Sequence, residues 1–156
     1  MMRSELVSRP VARLLASVLV LACAAAALAG LPPELDKALR ESKFVYIQSE
    51  RKSGSLGTPS EIWFLFENGS VYVGTRPSSF RVRRIKAGRR KAHIAVGKVD
   101  GPAFDATGEI VKDPTIEQHL MEAYAKKYED GWRRFETSFR DGFKTGDRVL
   151  VRYKPN

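Results

Sequence analysis

The 156-residue sequence predicts a mainly β, α+β fold in which six short strands form a closed or nearly closed barrel with helices packed on it. Three observations carry that expectation. β-Branched and aromatic runs recur with short polar links between them, and one link is Asn68-Gly69 set between two apolar runs. Helical periodicity is confined to a few segments, the clearest of them after Asp113. Strong hairpins leave unpaired strand edges, and closing the sheet removes them.

The first 29 residues stand apart. Arg3, Arg9 and Arg13, with a single Glu5, precede an uncharged run from Leu14 to Leu31, which is the order of a signal sequence. Ala27-Leu28-Ala29 ends that run with small residues where a signal peptidase needs them, so cleavage before Gly30 and a periplasmic or extracellular destination are expected. A run of about 18 residues is also at the lower limit for spanning a bilayer, which leaves an uncleaved anchor over residues 14–31 as the alternative. Both readings put the domain on the same side, because the arginines stay in the cytoplasm. Val20 stands where a lipid-modified Cys23 would require a small residue, and no adjacent arginine pair marks a twin-arginine signal.

Residues 30–156 suffice for one core and are too few for two. Cys23 is the sole cysteine, so the domain after Ala29 has no disulfide and no thiol nucleophile. Pro32-Pro33 with Glu34 and Asp36 opens a short helix that carries Leu35 and Leu39 and covers one end of the domain. Phe44-Val45-Tyr46-Ile47 is a strand, and Ser53-Gly54-Ser55-Leu56-Gly57 turns it toward a return strand over Ile62–Phe66. Asn68-Gly69 then reverses the chain into Val71-Tyr72-Val73, because both turn residues tolerate positive φ.

A basic segment from Ser78 to Lys91 follows, with Ser78 or Ser79 as the cap of a short helix and Gly88 as its end. Ala92–Val96 and Phe104–Val111 form a second hairpin around Asp100-Gly101-Pro102. Asp113 or Thr115 caps the next helix and Pro114 suits its first turn; Ile116, Leu120, Ala123, Tyr124 and Tyr128 recur along one face. Trp132, Phe135, Phe139 and Phe143 continue helically after a break near Gly131, and Val149–Tyr153 closes the fold as a strand.

The formal charge is +9, and because residues 1–29 hold three arginines and one glutamate, residues 30–156 keep +7. Such a balance favours anionic partners: a phosphorylated cofactor, an anionic membrane surface or an extracellular polyanion. Nucleic acid ranks last for an exported chain.

In this order of elements the chain resembles the flavin- and deazaflavin-binding split-barrel proteins, the pyridoxamine 5'-phosphate oxidase-like family. The resemblance runs from Phe44 to Pro114 and, more loosely, to the last strand. Its first piece is Arg51-Lys52-Ser53-Gly54 before Pro59-Ser60-Glu61-Ile62-Trp63-Phe64. The second is Thr75-Arg76-Pro77-Ser78-Ser79-Phe80-Arg81-Val82-Arg83-Arg84-Ile85, similar to the family's T-x-x-x-S-x-(K/R)-x-x-x-(L/I) cofactor segment. The third is Ala92–Val99 with Gly108-Glu109-Ile110-Val111, and Ala123-Tyr124-x-x-Lys127-Tyr128 resembles the tail of deazaflavin-type members.

The resemblance implies a six-stranded split barrel of FMN-binding type that holds FMN or a deazaflavin (coenzyme F-420) and transfers hydride to a small or quinone-like acceptor. It also implies a homodimer whose subunits share the cofactor site. Ser79, Arg81 and Arg84 would serve the phosphate, Thr75 the phosphate or ribityl chain, and the backbone of Trp63 and Phe64 the ring edge. Helix starts and nearby cations are the groups a phosphate needs. Arg83, Lys86, Arg89 and Arg90 are too numerous to share one phosphate and read as solvated. A non-catalytic exported module for haem, lipid or another anionic ligand is the alternative function, since one fold hosts many ligands.

No metal site is expected, because His93 and His119 lack partners at ligand spacing and read as satisfied core or surface histidines. Glu61 and Asp105 read as isolated acids. The late aromatic stripe reads as core packing before it reads as a wall over a cofactor. An absence of catalytic residues agrees with a flavin enzyme, in which the cofactor carries the hydride chemistry.

Overall fold

The computed structural model describes residues 30–156, and the expected leader over residues 1–29 lies outside them. Helix α1 (Pro33–Glu41) begins on proline with Glu34 and Asp36 in its first turn and Arg40 in its last, charges that complement the helix dipole. Leu35 and Leu39, one turn apart, are its buried face. Strand β1 (Val45–Ser49) follows, and β2 (Ser60–Ile62) returns beside it with Ile62 opposite Val45.

The expected return strand over residues 62–66 divides in the structure. Strand β2 ends at Ile62, whereas β3 (Leu65–Glu67) pairs with β4 (Ser70–Thr75) through the Asn68-Gly69 turn. Both turn residues have positive φ, 49° and 68°, as the hairpin required. The division has a physical cause: side chains from a later helix take the Trp63 and Phe64 backbone groups that a continuous ladder would use.

The remaining elements are α2 (Phe80–Lys86), β5 (Lys91–Val96), β6 (Ala103–Val111), α3 (Pro114–Lys127), α4 (Glu129–Thr145) and β7 (Val149–Pro155). All seven strands lie in one antiparallel sheet of order β2-β1-β5-β6-β7-β4-β3. Strands β2 and β3 are therefore its two edges, yet only Trp63 and Phe64 separate them along the chain. A sheet whose edges lie that close must curl back on itself, so the expected barrel is present as a curled half-barrel of seven strands, not six. The count differs because one bent segment supplies both edges.

Alternation along the strands sorts the apolar residues into two cores. Val45, Ile47, Val71, Val73, Ile94, Val151 and Tyr153 belong to the first, which α1 supplements with Leu35 and Leu39 and α2 with Val82. Tyr72 and Leu150 point the other way, into a second core with Leu120 and Tyr124 of α3 and Trp132, Phe139 and Phe143 of α4. Both cores lie within residues 30–156.

Asp113 caps α3 by accepting from the Thr115 and Ile116 N–H groups, each at 3.1 Å. The break between α3 and α4 falls at Tyr128 (φ −129°, ψ 29°), three residues before Gly131. Gly131 serves another purpose inside α4: a Cβ there would sit 3.0 Å from the Trp63 ring, so glycine admits the indole.

Candidate functional site

The joint between the two sheet edges is held by α3. Tyr124 Oη donates to the Trp63 carbonyl at 2.7 Å, Lys127 Nζ donates to the Phe64 carbonyl at 3.2 Å, and the Phe64 N–H donates to Tyr128 Oη at 3.3 Å. The Tyr128 hydroxyl in turn donates to the Lys43 carbonyl. Spacing of three and four residues places these side chains on one face at the helix end. The Trp63 ring stacks on Tyr128 at 4.3 Å and meets Tyr124 and Phe135 edge-on at 5.6 and 5.8 Å.

Burial shifts the titration of this cluster. It pushes the Tyr128 hydroxyl up to about 12, raises Tyr124 further, and lowers the Lys127 amine to about 8. From about pH 8 to 10 the unfolded chain therefore holds a proton that folded Lys127 has released, and stability rises with pH. The tyrosines act with opposite sign: they ionise first in the unfolded chain, near pH 10, so stability falls above that pH. Urea melts of wild type and Lys127→Met across pH 7 to 10 should show the wild-type midpoint gaining on the variant. A constant difference would mean that the amine is not desolvated.

Beside the joint lies a groove of about 240 Å³ between the sheet and α4. Trp63, Phe135 and Phe139 form its walls, with Gly74 and Tyr124 beneath and Glu61 and Arg148 at its margins. A Cβ on Gly74 would sit 2.7 Å from the Phe139 ring, so the absent side chain is what lets α4 approach β4. Arg148 crosses the Phe139 face at 4.1 Å from the centroid and reaches Ser138 Oγ at 3.3 Å. Burial and the charge of Arg76 both lower its pKa. The charges of Arg81 and Arg148 both act on the Tyr124 hydroxyl. Arg148 is thus the cation that lines the aromatic groove, with Arg76 near enough to act on it and Arg81 near enough to act on Tyr124, and such positive charge favours an anion. A wider cleft of about 660 Å³ on the far side of Trp63 mixes Lys43 and Lys126 with Glu41, Glu129 and Asp130, and lacks a field of one sign.

The residues singled out in the sequence divide around this geometry. Trp63 forms a groove wall, and Thr75, half-buried at the end of β4, adjoins Gly74. Arg81 is 9% exposed, and its Nη1 is buried without a partner. The Tyr153 hydroxyl is also unpartnered: Arg81 and Ser49 lie beside it, but neither completes a hydrogen bond. Ser79 caps α2 by accepting from the Val82 N–H at 3.5 Å, which leaves its own proton free to donate. Arg84 donates to the Ser49 carbonyl at 3.0 Å and lies against Gly57, and Phe64 is fully buried. The Trp63 carbonyl and the Phe64 N–H and carbonyl, expected at a ring edge, already bond to α3.

Arg76, Tyr124 and Arg148 were not singled out as ligand residues. Arg76 lay within the Thr75–Ile85 stretch that carries the resemblance, but nothing local marks Arg148 before its strand. Arg83, Lys86 and Arg90 are exposed as expected; Arg89 is half-buried with Nε enclosed and unpartnered, because the chain folds back after α2 to begin β5. Of the late aromatics, Trp132, Phe139 and Phe143 are core, and Phe135 remains 44% exposed at the groove.

Glu61 and Asp105 are not isolated, since cross-strand register gives each a partner. Glu61 accepts from Tyr46 Oη at 2.6 Å, and Asp105 pairs with His93 Nδ1 at 2.8 Å. His119 pairs likewise with Glu67 at 3.0 Å. Among the described residues no group of three His, Cys, Asp or Glu side chains could hold a metal.

The fold is shared with solved split-barrel structures. A candidate pyridoxamine 5'-phosphate oxidase from Listeria innocua superposes with a TM-score of 0.57 at 12% identity, covering 79% of this chain and 91% of its own. A haem storage protein from Vibrio cholerae gives 0.55 at 16% identity, covering 82% and 92%. An F-420 reductase gives 0.50 at 18% identity, covering 81% and 96%. No family model and no curated protein matches the sequence.

Proposed function

We propose that this split-barrel chain binds a flavin-type cofactor, FMN or the deazaflavin F-420, in the groove between Trp63 and α4, and uses it to pass hydride to a small or quinone-like acceptor. The observation that carries the reading is the groove itself: flat aromatic walls beside Arg148, whose repulsion by the nearby Arg76 an anionic ligand would offset. Similarity of fold to the Listeria protein and the F-420 reductase supports the class of ligand.

The residues present fit such a group. Trp63 and Phe135 offer aromatic faces, Glu61 an acceptor at the margin, and Arg81 a buried guanidinium lacking a counter-charge. We assign the anionic end to Arg76, Arg148 and Arg81 with the hydroxyls of Thr75 and Ser79. Arg84 contributes through its hold on Ser49, which positions α2. When bound, the cofactor supplies the hydride chemistry; the chain binds it, orients it and, with α4, shields it from water.

Titration of residues 30–156 with FMN, F-420 and haem tests the reading. Binding of FMN or F-420 with quenching of Trp63 fluorescence is expected. Haem binding with no response to either flavin would favour a haem module, and no binding of any of the three would overturn the assignment of a cofactor site.

A further inference from the structure

A second feature lies at the barrel end opposite α1, on the exposed face of α2, whose buried Arg81 belongs to the other face. Helix α2 and the loop between β1 and β2 meet there: Arg84 links them, bonded to the Ser49 carbonyl at 3.0 Å and standing 5.6 Å from the Phe80 ring centroid. The Glu50 N–H bonds to the Lys91 carbonyl, which brings the start of β5 to the same end. Helix α1 sits at the other end, where the Gly97 N–H bonds to the Phe44 carbonyl.

Two of the four exposed large apolar side chains of the described residues lie here: Phe80, 69% exposed, and Leu56, 42% exposed. Around them Arg51, Lys52, Arg83 and Lys86 are exposed, and none pairs with a carboxylate among the described residues. Arg83 lies 4.7 Å from the Phe80 ring centroid. Some cations elsewhere do pair, as at Arg40 with Asp36 and Arg152 with Glu109; here unpaired cations coincide with exposed apolar side chains.

We infer that this end is a docking surface for an anionic lipid bilayer, with Phe80 and Leu56 as apolar anchors and the unpaired cations held against the headgroups. Neither part suffices alone. Exposed apolar side chains on a soluble surface have a cost that burial in the acyl boundary removes. Cations by themselves give a weak, salt-sensitive attraction, and stable attachment takes two signals together. An exposed aliphatic Leu56 at the same barrel end as the aromatic ring favours a bilayer over a polyanion, which offers no apolar interior.

Sedimentation of residues 30–156 with vesicles provides the test, since both cores lie within that segment. Wild type should pellet with vesicles of phosphatidylglycerol and phosphatidylcholine, and not with phosphatidylcholine alone. Phe80→Ala should lower the partition coefficient about tenfold, Leu56→Ala less, and Arg83→Glu with Lys86→Glu should abolish the preference for anionic vesicles. Phe80 and Leu56 are exposed, so circular dichroism should show both alanine variants folded as wild type. Equal binding to both vesicle types, or alanine variants that pellet as wild type does, would overturn the inference. Retention on heparin with no pelleting would also overturn it and identify a soluble polyanion as the partner.

Discussion

Arg148→Ala is expected to weaken binding of FMN or F-420 by about one to two orders of magnitude, and Arg81→Ala by a similar factor. A charge-assisted hydrogen bond to an anion contributes roughly 1.5 to 3 kcal/mol, and each 1.4 kcal/mol is about tenfold in affinity. Arg148 is the more informative position. Its guanidinium lies over Phe139 at the groove, its pKa is lowered by burial and by Arg76, and it forms no ion pair with a carboxylate among the described residues. Lys86→Ala is the matched control, because it removes one exposed charge from α2. Isothermal titration at two salt concentrations reads the difference. Equal losses at Arg148 and Lys86, erased together by salt, would reduce the site to a diffuse basic surface.

Trp132→Ala should be the most damaging single substitution, costing about 3 to 5 kcal/mol of stability, the range for truncating a buried aromatic. Trp132 is 5% exposed and meets Tyr124 and Phe139 edge-on at 5.7 and 5.4 Å. It ties α4 to α3, and Phe139 of the same helix rests on Gly74 to roof the groove. Phe135→Ala separates packing from binding. At 44% exposure its loss should leave the urea midpoint nearly unchanged while weakening cofactor binding through the lost aromatic wall. If Trp132→Ala melts at the wild-type midpoint, the second core does not hold α4 in place.

The strands and turns were legible because their signals are local. Asn68-Gly69 can turn in few ways, and Asp113-Pro114 both caps and opens a helix. The split at Trp63-Phe64 was not legible: periodicity over Ile62–Phe66 favours one strand, and the groups that interrupt it come from Tyr124, Lys127 and Tyr128. Gly131 misled for a similar reason, since its smallness answers the Trp63 ring and not a helix end. At the site, Arg81 stood out by its place in a motif, whereas Arg148 acquires meaning only when β7 and α4 bring it to Gly74. Tertiary proximity, absent from any window of sequence, separates these cases.

The joint between the sheet edges has a consequence for how the chain folds. Its three polar ties span 61, 63 and 64 residues, so no early local event can make them. Until α3 has formed and docked, β2 and β3 remain open edges at the two ends of the sheet, each able to pair with another chain. Nucleation belongs to the short-range hairpins β3–β4 and β5–β6, while closure waits for the last third of the sequence. A nascent chain that has released only residues up to about 113 also lacks β7, so β4 and β6 are open edges together with β2 and β3, and it would depend on a chaperone or on continued synthesis to avoid self-association.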